Sequence, residues 1–164
     1  MKKFLFLLCA AVLCAGSAMA QTEKGDITAG VQLSYGSEVG TLGLGARIMY
    51  NPIHNLRAEF GTNYFFKRDH RSMWDINLNA HYLIGIYREQ VYLYPIAGFC
   101  FASESFDGKD DHYDKGDISK FGLNLGAGAE YMINEHVGIT LEYRHTIMKT
   151  IDQGVGSVGL NYKF

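Results

Sequence analysis

Residues 120–132 read KFGLNLGAGAEYM, and their alternation is strict. Phe121, Leu123, Leu125, Ala127, Ala129 and Tyr131 share one face of an extended chain. Gly122, Asn124, Gly126, Gly128 and Glu130 share the other. Successive side chains of a strand point to opposite faces, so this period of two marks a strand with one apolar and one polar side. Which of the two faces points inward decides the fold.

The same pattern recurs along the chain. Before it lie DITAGVQLSY (26–35), TLGLGARIMY (41–50), LRAEFGTNYF (56–65), WDINLNAHYLI (74–84) and VYLYPIAGFCFA (91–102). After it come VGITLEYRH (137–145) and SVGLNYKF (157–164). Seven of the eight segments orient themselves by alternation. The segment at 91–102 is apolar on both faces; we assign Val91, Leu93, Pro95, Ala97, Phe99 and Phe101 to the same side as the other apolar faces. Turns are expected at 51–55, 85–90 and 134–136 on one side of this meander. On the other side they are expected at 36–40, 67–72, 103–117 and 149–154. An even number of strands puts both termini on the side of the first set.

Two antiparallel barrels fit such a meander. A soluble barrel turns its apolar face inward around a small ligand, whereas a membrane barrel turns it outward to lipid. The apolar faces carry no Lys, Arg, Asp or Glu. The opposite faces carry Arg47, Arg57, Glu59, Asp75, Glu130, Glu142, Arg144 and Lys163, four of each sign. A charge on lipid costs several kcal/mol near the midplane, while a lumen tolerates charges that are paired. Aromatic residues gather near the segment ends: Tyr35, Tyr50, Tyr64, Trp74, Tyr82, Phe121, Tyr131, Tyr162 and Phe164. Such residues favour the membrane interface. Segments of about ten residues suit tilted strands crossing a bilayer, and closure removes every unpaired edge. The pattern therefore predicts an all-β fold, an eight-stranded antiparallel up-and-down transmembrane β-barrel. Its interior would be narrow enough for side chains to fill it.

The start of the chain, MKKFLFLLCAAVLCAGSAMA (1–20), has a basic beginning, a short apolar stretch and a small-residue cleavage pattern ending at Ala20. It reads as a Sec-type signal peptide cut after Ala20, leaving a barrel domain over 21–164. Cys9 and Cys14 each follow a leucine, which argues against a lipid anchor. With that segment gone only Cys100 is left of the three cysteines, so no intramolecular disulfide can form. The net charge of the whole chain is −2, and of the part after Ala20 −4, against the basic surplus of a nucleic-acid binder.

At this point the signal peptide, the eight-segment meander, the ending VGLNYKF and the phrase EYRHT (142–146) resemble the small outer-membrane barrels of the OmpA/OmpX type. The chain is similar to the outer membrane protein beta-barrel domain family over residues 21–164. The resemblance implies localisation in the cell outer membrane, contact with its lipid and lipopolysaccharide, and insertion by the barrel assembly machinery. In that family a last strand of alternating apolar residues with a terminal aromatic is the assembly signal, which falls here on Val158, Leu160, Tyr162 and Phe164.

The lumen charges Arg47, Arg57, Glu59, Asp75, Glu130, Glu142, Arg144 and Lys163 are expected to form a plug of ion pairs. Strand direction places Asp75 near the outer rim and Glu142 near the middle, with Arg144 just above it as a possible partner. A gated narrow pore, or a conduit for small apolar molecules, is the alternative reading. His81 should face the lumen beside Asn79 and hydrogen-bond there. Catalysis is not expected. Outer-membrane lipid A deacylases carry His-x-Ser-Asn on the penultimate strand, and the corresponding stretch here is His145-Thr146-Ile147-Met148, without the nucleophile. The acidic loop 103–117 reads as solvated, because Lys109 and Lys115 interrupt its carboxylates. The expectation is a monomer without cofactor or metal, in a structural or surface-interaction role.

Overall fold

The computed structural model describes residues 24–37, 40–68, 71–87, 90–106, 118–148 and 152–164. The strands run β1 (Ile27–Gly36), β2 (Thr41–Ile53), β3 (Leu56–Arg68), β4 (Arg71–Tyr82), β5 (Ile84–Tyr87), β6 (Val91–Phe106), β7 (Ile118–Met132), β8 (Val137–Met148) and β9 (Asp152–Lys163). Segments β4 and β5 are separated only by Leu83 and both pair with β6, so they form one stave. Eight staves result, each antiparallel to the next. The sheet closes where β1 meets β9, from Thr28 opposite Lys163 to Gly36 opposite Val155.

The start of the described chain and the C-terminus lie at the rim that carries the short turns. The Phe164 amide donates to the Ile27 carbonyl (3.0 Å) and the Lys163 amide to that of His136 (2.7 Å). At the opposite rim, the Gly40 amide returns to the Gly36 carbonyl (2.9 Å), and Gly40 takes φ +60°, a left-handed conformation that glycine adopts without steric cost.

The staves are longer than their alternating cores suggest. Residues 85–87 of the expected turn belong to the strand β5 that pairs with β6, 103–106 extend β6, and 152–154 extend β9. Strand β6 has 16 residues and β7 has 15, beyond the roughly ten needed to cross hydrocarbon. The surplus stays paired, with Phe106 opposite Arg71 on β4 and Glu104 opposite Ile118 on β7. The signal-peptide reading (1–20) and the acidic residues at 107–117 fall outside the described residues.

The faces are inside-out relative to a soluble protein. Leu141 is 64 % exposed and Asn124 is 0 % exposed. Val31, Leu44, Ile48, Phe60, Leu78, Phe99, Leu125, Leu160 and their neighbours coat the outside, while Gln32, Asn63, Asn77, Asn79 and Asn161 are buried within. The segment at 91–102 follows the assigned orientation: Leu93, Phe99 and Phe101 point out, and Tyr92, Tyr94, Ile96 and Cys100 point in. The outward aromatics form two girdles. Tyr64, Trp74, Phe101 and Phe121 lie toward the outer rim, with the Trp74 and Phe101 rings 5.8 Å apart. Tyr50, Tyr82, Tyr131, Tyr162 and Phe164 lie toward the rim of the termini.

Candidate functional site: the filled lumen

Inward side chains from all staves meet in layers. At the centre is Arg47 on β2. Its Nη1 donates to Glu142 Oε1 on β8 (2.6 Å) and reaches Glu59 Oε2 on β3 (3.3 Å). Its Nε donates to Asn161 Oδ1 on β9 (3.1 Å), and its Nη2 to Thr140 Oγ1 on β8. One guanidinium therefore ties four staves across the lumen, which its planar fork of five donors permits. The close approach requires Gly159, because a β-carbon there would stand 2.5 Å from Arg47 Nη2 and 2.6 Å from Thr140 Oγ1.

Toward the termini, Arg57 Nη1 binds Glu130 Oε2 (2.7 Å), and Glu130 Oε1 accepts from Asn161 Nδ2 (2.8 Å). Toward the outer rim, Arg144 Nη2 lies 3.7 Å from Asp75 Oδ2. Asp75 Oδ1 accepts from the Asn63 amide and from the side chains of Asn63 and Asn77. Amides fill the remaining levels. Asn124 Nδ2 donates to Asn77 and Asn79 (2.9 Å each), and its Oδ1 accepts from Thr146 (2.7 Å). Asn79 in turn donates to Glu59 Oε1 (2.8 Å).

Several expectations change here. Glu142 and Arg144 do not pair with each other; Glu142 binds Arg47 and accepts from Tyr94 Oη (2.7 Å), and Arg144 faces Asp75. Residues two apart on a strand point the same way about 6.6 Å apart, and each reaches across rather than along the strand. Asp75 lies toward the outer rim, but it is 2 % exposed and opposite Ala102 of an apolar cluster rather than open to solvent. Lys163 is half-buried at the rim of the termini, 3.5 Å from Asp26 Oδ2, rather than in the central network. His81 makes no hydrogen bond: both ring nitrogens are buried without a partner, and the ring stacks on Tyr94 at 4.9 Å.

The interior is also less polar than alternation implies. Phe65, Met73, Cys100, Ala102, Met148 and Val155 form an apolar layer inside the outer end. Leu83, Tyr92, Tyr94, Ile96 and Met132 pack toward the other end. The doubly apolar segment at 91–102 signalled Tyr92, Tyr94, Ile96, Cys100 and Ala102 of these clusters, but not the members on other staves. A recess of about 10 Å³ opens near the termini, lined by Thr28, Arg57, Glu130, Met132, His136, Gly138, Asn161 and Lys163. That is room for about one water. On the outer surface His145 is half-buried and points outward, whereas Thr146 points inward to Asn124.

A closed eight-stave barrel with a lipid-type exterior and a packed polar lumen is the architecture of small outer-membrane proteins. The family described as outer membrane protein beta-barrel domain matches residues 6–164. The chain belongs to that family. The membership places it in the outer membrane. Among solved structures, the N-terminal barrel of Pseudomonas aeruginosa OprF superposes with a TM-score of 0.74 at 14 % identity, covering 86 % of this chain and 98 % of that one. Neisserial surface protein A gives 0.61 at 21 %, covering 85 % and 96 %. Yersinia pestis Ail, in a complex with the heparin analogue sucrose octasulfate, gives 0.62 at 18 %, covering 86 % and 99 %. These likenesses are of fold. Comparison with curated proteins finds no match.

Proposed function

We propose that this outer membrane barrel is a closed, non-conducting and non-enzymatic monomer whose role is structural or in surface interaction. One observation carries the reading. The Arg47, Arg57 and Arg144 pairs, the amide ladder and the outer apolar layer occupy successive levels of the lumen. Eight strands enclose a space that side chains can fill, and here they do. The charge set Arg47, Arg57, Glu59, Asp75, Glu130, Glu142 and Arg144 acts as cross-bracing that replaces the hydrophobic core of a soluble domain. Sec-type export is accompanied by cleavage after Ala20, and Val158, Leu160, Tyr162 and Phe164 serve as the signal to the assembly machinery. Lipid and lipopolysaccharide cover the outer face. Planar-bilayer recording on refolded protein tests the central point. The proposal requires no steady conductance above the bare membrane, and discrete single-channel steps would reject it.

A second reading draws on the apolar outer layer. Phe65, Met73, Cys100, Ala102, Met148 and Val155 would receive a small apolar molecule from the outer mouth. Below them Asp75 and Arg144 bar the way, so passage would need the ion pairs to part. Uptake of a small apolar solute into vesicles without ion conductance would favour this reading over the closed plug.

A further inference from the structure

The central ion cluster is one positive charge short. Arg57 pairs with Glu130, and Arg144 with Asp75, each one to one. Arg47 alone faces two carboxylates, Glu59 and Glu142. Among the described residues the other buried cations are Arg57 and Arg144, so these three arginines and the four buried carboxylates Glu59, Asp75, Glu130 and Glu142 carry a net charge of −1 if His81 is neutral. An uncompensated charge in a confined, water-poor interior is strongly unfavourable, and proteins meet it by taking up a proton or a counter-ion. The recess near the termini holds about one water, and its lining sets Arg57 and Lys163 against the single carboxylate Glu130, so it is no seat for a counter-cation.

The proton must then reside on a titratable group. The carboxylates are poor hosts, because their oxygens accept from donors as anions do. Glu59 takes Arg47 and Asn79, Glu142 takes Arg47 and Tyr94, Glu130 takes Arg57 and Asn161, and Asp75 takes Asn63 and Asn77. That leaves His81. Its Nε2 is 3.9 Å from Glu59 Oε2, within ion-pair range, and neither ring nitrogen has another partner. Its ring lies 15° from parallel to Tyr94, whose face attracts a cation. The groups acting on it are Glu59 and Arg57 on β3, Arg47 on β2, Tyr94 on β6 and Glu142 on β8. Arg57 is already balanced by Glu130, which leaves the Arg47, Glu59 and Glu142 triad as the unbalanced neighbour.

We propose that the folded barrel binds one proton at His81, as an imidazolium that neutralises the Arg47–Glu59–Glu142 triad. The proposal stands apart from the role of the barrel, since it concerns the charge state of the lumen whether or not the lumen conducts. A proton bound by the folded state and not by the unfolded one couples stability to pH. Over the range where folded His81 is charged and an unfolded histidine is not, the unfolding equilibrium constant rises about tenfold per pH unit.

The test is ring-nitrogen NMR on barrel labelled with 15N-histidine and refolded in lipid nanodiscs at pH 7.5. The His81 signals are assigned by their loss in His81→Asn or, if that variant does not fold, by through-space contacts to the Tyr94 ring. The expected result is two protonated ring nitrogens in the wild type. In Glu59→Gln, where the triad is balanced without the proton, the His81 ring should be neutral at the same pH. A neutral wild-type ring at pH 7.5 would overturn the proposal regardless of how any variant folds. A ring still charged in Glu59→Gln would overturn its link to the triad.

Discussion

Arg47→Met removes the one side chain that spans the lumen in four directions. The methionine fills part of the volume but offers no donor, so Glu59 and Glu142 lose their shared cation, and Asn161 and Thr140 lose a partner. Removing one partner of a buried ion pair costs about 3–5 kcal/mol, because the remaining charge stays desolvated. Two carboxylates lose Arg47 here, but Tyr94 still donates to Glu142, and Asn79 and the His81 imidazolium remain at Glu59, which puts the total near that range rather than at twice its value. Four kcal/mol is about three orders of magnitude in the unfolding equilibrium constant. The double variant Arg47→Met/Glu142→Gln removes one orphaned charge and should recover about half of the loss. The assay is reversible urea unfolding in lipid vesicles for the wild type, both single variants and the double, analysed as a mutant cycle. A loss below about 1 kcal/mol for Arg47→Met, or strict additivity with Glu142→Gln, would refute the view that these pairs brace the barrel.

The exterior and the assembly signal make further predictions. Leu125→Arg places a charge on the lipid face and should lower stability by about 2–4 kcal/mol in the same assay, while Leu125→Phe leaves it within about 0.5 kcal/mol. Gly128→Ala sets a β-carbon 2.5 Å from Tyr94 Cε2 and should cost about 1–3 kcal/mol, a loss that Tyr94→Leu relieves. Phe164→Ala removes an exposed ring that touches Tyr162 at 5.1 Å, so refolding stability should change by less than about 1 kcal/mol. Barrel abundance in the outer membrane of cells should nevertheless fall, and normal cellular insertion would contradict its role as an assembly signal.

The faces of the staves were legible because charge and glycine never stray onto the apolar side within the alternating segments. Strand β6 was the exception, and the structure supplies the reason. Tyr92, Tyr94, Ile96 and Cys100 point inward yet are apolar because they build the layers above and below the ion pairs. Seven of the eight lumen charges were legible for the same reason as the faces, while Lys163 sits at the rim beside Asp26. The pairing of these charges was not legible. Arg47 and Glu142 are 95 positions apart and meet only because closure and stagger of the barrel bring β2 and β8 to one level. The nearer candidate, Arg144, is two residues from Glu142 on the same strand and reaches Asp75 on β4. Local spacing carries no information about stagger, so partners across a lumen follow only from register. The isolation of His81 was hidden likewise. Asn79, expected to serve it, turns to Glu59 and Asn124.

The chain has a single tryptophan, and it reports on the claim from which the rest follows, that the apolar face is the lipid face. Trp74 points outward at the outer girdle, opposite Tyr64 and against Phe101. Refolded into vesicles of phospholipid brominated at successive acyl depths, its emission should be quenched by lipid. Quenching should be strongest for bromines near the headgroups and weak for those at the bilayer centre, with little effect from aqueous iodide. Emission that bromolipid leaves untouched at every depth, in protein shown to be folded, would contradict the inside-out barrel.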